Sequence, residues 1–111
     1  MMITAEEQTG DVILIHLNGR LDASSAATAE QEIFALLERH SRVVVDFSAL
    51  EYISSAGLRV LLLVAKKIQG RAGVLLLASM HPAVQEVFDI SGFSAIFKIF
   101  PDVTGALRQI Q

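Results

Sequence analysis

The 111-residue sequence predicts one α/β domain in which helices pack against a mixed β-sheet. Hydrophobic residues make up 52% of the chain and charged residues only 19%, so enough apolar surface is available to form a core. Residues 42–47 and 74–78 are short aliphatic runs, which are typical of strands buried on both faces. Because strands and amphipathic helices alternate after residue 11, we expect a layered fold, and we assign residues 1–111 to one domain.

The boundaries of the elements follow from hydrophobic spacing and from residues that favour turns or helix ends. Asn18-Gly19 is typical of a turn, Asp22 can cap the helix that follows it, and Gly92 can end a helix in a left-handed conformation. In the first half we expect strands at 2–6, 12–17 and 42–47, a hairpin loop at 8–10, a turn at 48–52, and a helix that ends near His40. In the second half we expect helices from Ser55 to Gly70, from Pro82 to Gly92 and at 101–110, with strands at 74–78 and 95–100.

Composition and spacing argue against several classes of function. A net charge of −3, with nine Lys and Arg residues spread thinly, provides no cationic surface for direct nucleic-acid binding. The chain has no cysteine, and its three histidines lie in different predicted elements, so we expect neither a metal site nor a cofactor. We also expect no membrane span, because the strongest apolar run ends within six residues, and a cytoplasmic location, because the first residues do not resemble a signal peptide.

Two serines lie at the predicted junction between a strand and a helix. Ser55 falls about where an N-cap residue would sit, and the free backbone N–H groups of a helix start favour a serine oxygen or a phosphate. Gly57 would allow a partner backbone or phosphate to approach closely, and Arg59, one turn later, could pair with a phosphate on Ser55. On local chemistry alone, a pair of serines before an apolar helix is more often a plain helix cap than a regulated site.

Four segments of the sequence, taken together, resemble the successive signatures of STAS domains, in particular the free-standing anti-sigma factor antagonists of bacteria. The resemblance covers nearly the whole chain, and the order and spacing of the segments match. It implies a STAS-like fold of a four- or five-stranded mixed sheet with about four helices packed on one face. The segments are Gly19-Arg-Leu-Asp22, Val43-Val-Val-Asp-Phe-Ser-Ala-Leu50, Tyr52-Ile-Ser-Ser-Ala-Gly-Leu-Arg-Val-Leu61 and His81-Pro-Ala-Val-Gln-Glu-Val-Phe-Asp-Ile-Ser-Gly92.

The resemblance also implies a partner-switching function. In this family the unphosphorylated protein binds an anti-sigma factor that is itself a serine kinase, and a sigma factor is thereby released. The kinase then phosphorylates the serine two places before the motif glycine, which here is Ser55, and a serine phosphatase resets the cycle. The family often has Asp before that serine and Ser or Thr after it, whereas this chain has Ser54 and Ala56, so Ser54 is a secondary candidate for phosphorylation.

The residues that we expect to contact the partner are Asp22, Ser54, Ser55, Gly57 and Arg59. Asp22 matches the aspartate that the family places near its partner-binding end, although a helix-capping aspartate would look the same. The resemblance favours a monomer that forms a heterocomplex. The alternative is a STAS subunit of a transporter or of a stress-sensing complex that does not switch. We expect no enzyme activity, since the chain lacks a Gly-x-Ser-x-Gly elbow and a phosphate-binding P-loop.

Overall fold

The computed structural model describes residues 1–110 and contains a five-stranded mixed sheet whose strands lie in chain order, β1-β2-β3-β4-β5. The last residue of the predicted domain therefore lies outside the described residues. Strand β1 pairs antiparallel with β2, and the remaining neighbours are parallel, so the predicted α/β fold with a mixed sheet is confirmed. The strands are β1 (Met2–Glu7), β2 (Val12–Leu21), β3 (Arg42–Ile53), β4 (Val74–Ala78) and β5 (Lys98–Phe100), and the helices are α1 (Ala26–Leu37), α2 (Ser55–Gln69), α3 (Pro82–Ile90) and α4 (Val103–Ile110).

The helices cover both faces of the sheet. Helices α1, α2 and α3 pack on one face around a core that includes Ile15, Val45 and Leu77. Helix α4 packs on the other face, where its buried residues Ala106 and Ile110 join a second apolar cluster. The expectation that all the helices lie on one face is therefore wrong for α4. The physical reason is that the central strands are apolar on both faces, so side chains on the second face also need cover from water.

Strands β2 and β3 are both longer than the sequence pattern predicts. The turns expected at 18–19 and 48–52 are absent, because β2 continues to Leu21 and β3 continues to Ile53, and these two end residues pair with each other. The register shifts twice along this extension, once after His16 and once after Gly19, so that β3 contributes more residues than β2. Such bulges interrupt the alternation of inward and outward side chains. The residue pattern of this part of β3 therefore looks like that of a turn, although the backbone is extended.

Other boundaries differ by a few residues. Helix α1 ends at Leu37 and not near His40, and α4 begins at Val103. Of the strand expected at 95–100, only Lys98–Phe100 is extended, because Phe93–Ala95 forms a turn of 3₁₀-helix. Gly92 has a left-handed backbone with φ of 82°, as expected for a glycine that follows a helix end.

Three polar side chains link strands β1, β2 and β3 on the face that carries α4. Asp46 accepts a hydrogen bond from the Ser48 backbone N–H at the first bulge (2.9 Å), and its other oxygen lies 2.7 Å from His16 Nδ1. The second ring nitrogen of His16 contacts the carboxylate of Glu6 on β1. Burial lowers the pKa of His16, but the hydrogen bonds to Glu6 and Asp46 outweigh burial and raise it above 6.5. For Asp46 burial acts in the opposite direction and raises the pKa, but the hydrogen bonds from Ser48 and His16 outweigh burial and bring the pKa below its ordinary value.

The raised pKa of His16 predicts a dependence of stability on pH. A group whose pKa is higher in the folded state contributes stability that is complete below its unfolded pKa of 6.5 and is lost as the pH rises through the folded value. The free energy of unfolding, measured by urea denaturation, should therefore fall as the pH rises above about 6.5. In the His16→Gln variant this part of the pH dependence should disappear.

His81 provides the matched control for this measurement. Its ring contacts the Ser48 carbonyl and lies outside the cluster of acidic side chains around His16. His81→Gln should keep the decrease in stability with pH. Equal flattening of the two pH profiles would show that the effect does not come from His16.

Candidate partner-binding site at the start of helix α2

The candidate site lies at the edge of the sheet where parallel strands β2 and β3 end side by side. Leu21 pairs with Ile53 at the last step of the ladder, and the Ser54 N–H then donates a hydrogen bond to the Leu21 carbonyl (3.0 Å). Asp22 follows the end of β2, and Ser54 and Ser55 follow the end of β3. The pairing therefore brings Asp22 to the same edge of the sheet as the two serines.

The two serines have different environments. Ser54 is the N-cap of α2, with an extended backbone at φ −102° and ψ 178°, and its carbonyl accepts the Leu58 N–H (2.9 Å). Its hydroxyl oxygen is buried and has no hydrogen-bond partner among residues 1–110. Ser55 is the first residue of the helix itself, and it is exposed. The prediction of a helix start at the serines is thus confirmed, but the cap position belongs to Ser54 and not to Ser55.

The start of α2 is electrostatically open to an anion. The helix is 15 residues long, its first turn contains no acidic side chain, and the Ser54 side chain does not cap it. The partial positive charge of the first backbone N–H groups is therefore not neutralised by a neighbouring carboxylate on the helix. Arg59 is exposed and lies four residues after Ser55, a spacing that places two side chains on the same face of a helix.

Gly57 has a structural role that differs from the expected one. It is buried, and a β-carbon added to it would lie 2.7 Å from Ile53 Cγ1 and 2.7 Å from the Leu21 carbonyl oxygen. No real β-carbon contact is that short, so the absence of a side chain lets α2 approach the ends of β2 and β3. The close approach at Gly57 thus involves the chain's own backbone.

Asp22 organises the turn that leads into α1. Its Oδ1 accepts hydrogen bonds from the Ser24 hydroxyl (2.7 Å) and from the Ser24 backbone N–H (3.0 Å). The hydrogen bond from the Ser24 hydroxyl is the main cause of the lowered pKa of Asp22. The N-cap of α1 is Ser25, so Asp22 stabilises the turn before the helix and not, as expected, the first turn of the helix itself.

Arg20 and Tyr52 extend this surface and were not predicted. They are directly paired across β2 and β3, and the guanidinium carbon of Arg20 lies 4.3 Å from the centre of the Tyr52 ring. Arg20 Nε also lies 3.8 Å from Asp22 Oδ2, and the Tyr52 side chain remains 41% exposed. The sequence pattern placed both residues in or near turns, so nothing in it signalled that they face each other.

Two other kinds of feature are absent from the described part of the chain. Residues 1–110 hold no group of three or more His, Cys, Asp or Glu side chains arranged to bind a metal ion. Within the same residues, every helix is too short or too polar to cross a lipid bilayer.

Comparison with protein families identifies the class of domain. Residues 3–106 match the model of the STAS domain, and the chain therefore belongs to the STAS domain family. A relative from Bordetella bronchiseptica, which carries the name of an anti-sigma factor antagonist, BtrV, is 42% identical over 100 residues, covering 89% of this chain and 85% of the relative. A Paenibacillus polymyxa protein named anti-sigma F factor antagonist is 25% identical over 113 residues, covering 100% of this chain and 96% of that protein.

Solved structures show the same fold. The anti-sigma factor antagonist SpoIIAA in its unphosphorylated form superposes with a TM-score of 0.84 at 21% identity, covering 98% of this chain and 96% of that one. The Bacillus SpoIIAA in the phosphorylated form superposes with a TM-score of 0.76 at 20% identity, covering 99% of this chain and 100% of that one. At this level of identity the likeness concerns the fold, and it confirms the STAS-like architecture predicted from the sequence.

The packing at Gly57 yields a test of how the site is built. Gly57→Ala should lower the free energy of unfolding by about 1–3 kcal/mol, because the new methyl group would overlap the Leu21 carbonyl and the Ile53 side chain. Gly70→Ala, at the other end of α2, is the control, since the nearest atom to its added β-carbon is 3.5 Å away. The control should change stability by less than about 0.5 kcal/mol in the same chemical denaturation experiment. Equal losses in the two variants would contradict the proposed close packing.

Proposed function

We propose that this protein is an anti-sigma factor antagonist whose binding is controlled by phosphorylation of Ser55. In this scheme the unphosphorylated form binds an anti-sigma factor that is a serine kinase, which frees a sigma factor. Phosphorylation of Ser55 ends the binding, and a serine phosphatase restores it. The observation that carries the proposal is the exposed Ser55 at the first position of α2, at the edge of the sheet that also presents Asp22. Membership of the STAS family and the name of the 42% identical relative support it.

Accessibility favours Ser55 over Ser54 as the phosphorylated residue. A kinase must reach the hydroxyl oxygen, and the hydroxyl oxygen of Ser54 is buried. The Ser55 side chain is exposed, so its hydroxyl can accept a phosphoryl group without unwinding of the helix. The first turn of α2 lacks acidic side chains, and the product phosphate would therefore meet free backbone N–H groups and the exposed Arg59.

The same geometry explains how one phosphate would end binding. A phosphate adds about −1.5 to −2 charges at neutral pH to a surface that already carries the ionised Asp22. A partner that fits the neutral serine would have to remove water from this new charge without supplying a matching cation. Arg59 and the helix start offset this charge only in part, and desolvating the remainder costs more than the other contacts return, so the complex dissociates.

Phosphorylation of Ser55 can be tested by intact mass spectrometry with the cognate kinase and ATP. The wild-type protein should gain one phosphate, and Ser55→Ala should gain none. Ser54→Ala is the matched control and should still be phosphorylated, because its hydroxyl is the buried one. A phosphate that persists in Ser55→Ala and is lost in Ser54→Ala would reverse the assignment.

The charge mechanism is tested by binding measurements. Ser55→Asp should weaken the affinity for the kinase by more than about tenfold, whereas Ser55→Asn, which has a similar size and no charge, should weaken it far less. Isothermal titration calorimetry of the two variants separates charge from shape. Equal affinities of the Asp and Asn variants would show that exclusion of charge does not control the complex.

The alternative function has a different outcome. If no kinase binds or modifies the protein, the result would favour a STAS subunit of a larger complex that does not switch.

A further inference from the structure

We propose that the groove between strand β1 and helix α1 is a second docking surface, for an extended basic segment of a partner protein that adds to β1 as a further strand. This groove has a volume of about 600 Å³. It is lined by β1, by the second half of α1 and by the residues that follow α1, and the lining residues include none of the site around Ser55. The proposal does not depend on the function proposed for that serine.

The first observation is that β1 is a free edge of the sheet. Within residues 1–110 it pairs with β2 alone, so one side of its backbone offers N–H and C=O groups to a further strand. Ile3, Thr4 and Ala5 all line the groove, although successive side chains of a strand point to opposite faces. The groove wall therefore includes the backbone edge of β1. The strand contains no proline, lysine or bulge of the kind that commonly protects an edge from pairing, and its two charged residues, Glu6 and Glu7, lie at its C-terminal end.

The second observation is the chemistry of the groove. Its floor is apolar and includes Ile13 and the half-buried Leu36. Its rim carries three carboxylates, on Glu7, Glu32 and Glu38, against one guanidinium, on Arg39. A lysine or arginine side chain fits this arrangement, because its stem can lie on the apolar floor while its charged end reaches the carboxylates at the rim.

His40 adds a polar atom in the wall of the same groove. Its side chain is only 12% exposed, and its Nδ1 has no hydrogen-bond partner among residues 1–110. Both ring nitrogens lie within ion-pair distance of a carboxylate, Nδ1 at 3.6 Å from Asp11 and Nε2 at 3.5 Å from Glu7. The hydrogen-bonding capacity of Nδ1 is the part of His40 that remains unused among residues 1–110.

Charge distinguishes a basic partner from a second copy of this chain. Two copies joined along their β1 edges would bring the same Glu32 and Glu38 carboxylates to a shared rim, and like charges repel. A basic strand instead meets opposite charge along the groove. When a strand adds to a free sheet edge, main-chain hydrogen bonds provide the affinity and alternate side chains provide the specificity. Basic side chains at alternate positions match this surface.

The probe for this proposal is a capped peptide of alternating lysine and threonine, with the six-residue length of β1. Added to the ¹⁵N-labelled protein, it should shift the amide resonances of residues 3–7 and 32–40 and leave those around Ser55 unchanged. A peptide with glutamate in place of lysine should not bind. A lysine peptide methylated at every backbone nitrogen should not bind either, because it keeps the charge but has no backbone N–H group to donate to the β1 carbonyls from either edge.

Charge reversal on the protein completes the test. The double variant Glu32→Lys/Glu38→Lys should weaken binding of the lysine peptide by roughly five- to tenfold, whereas Glu86→Lys, an exposed change on α3, should weaken it much less. The proposal is overturned if the peptide does not bind, if the methylated peptide binds equally well, or if the shifts lie elsewhere. A dimer of the protein alone that the double variant abolishes would also overturn it, by showing that a second copy occupies the groove.

Discussion

The parallel pairing of β2 with β3 is the constraint on which the rest of the candidate site depends. The two strands are paired along their whole length, and the ladder ends with Leu21 beside Ile53. The Leu21 carbonyl then accepts the Ser54 N–H, and Gly57 packs against the same carbonyl and against Ile53. The first turn of α2 is therefore held directly on the strand ends, and this position leaves Ser54 buried and Ser55 exposed.

Two bulges make this arrangement possible. Strand β3 must span the same distance as β2 with more residues, and the side chain of Asp46 satisfies the Ser48 N–H at the first bulge. Asp46 is in turn held by His16, which also contacts Glu6 on β1. Polar contacts across three strands thus stabilise β3, the strand that leads into the two serines. These contacts also couple the stability of the domain to pH, because their central residue is a histidine with a raised pKa.

The molecule presents two surfaces with different physical characters. The surface around Ser55 is small and polar, combines the positive start of α2 with the Asp22 carboxylate, and is extended by the stacked pair of Arg20 and Tyr52. The groove beside β1 is larger, apolar at its floor and acidic at its rim. A phosphate on Ser55 would alter the charge of the first surface and leave the second unchanged. In the proposed scheme one contact could thus be switched while another is kept.

The sequence by itself determined the fold class, most elements and the position of the serines, because these depend on local patterns. The aliphatic run at 43–45 and the helical spacing after Ser55 are visible without any partner, and so is the turn chemistry of Gly92. The resemblance carried by the four sequence segments gave the family, which the match to residues 3–106 confirms.

Tertiary structure decided the features that depend on register and on both faces of the sheet. The pairing of Arg20 with Tyr52, the extension of β3 through its bulges and the placement of α4 on the second face arise from contacts between distant segments. The same holds for the cap position of Ser54 and for the buried role of Gly57. A shift of one residue in a strand or at a helix start reverses which side chain is exposed, and only packing against the rest of the chain fixes that choice.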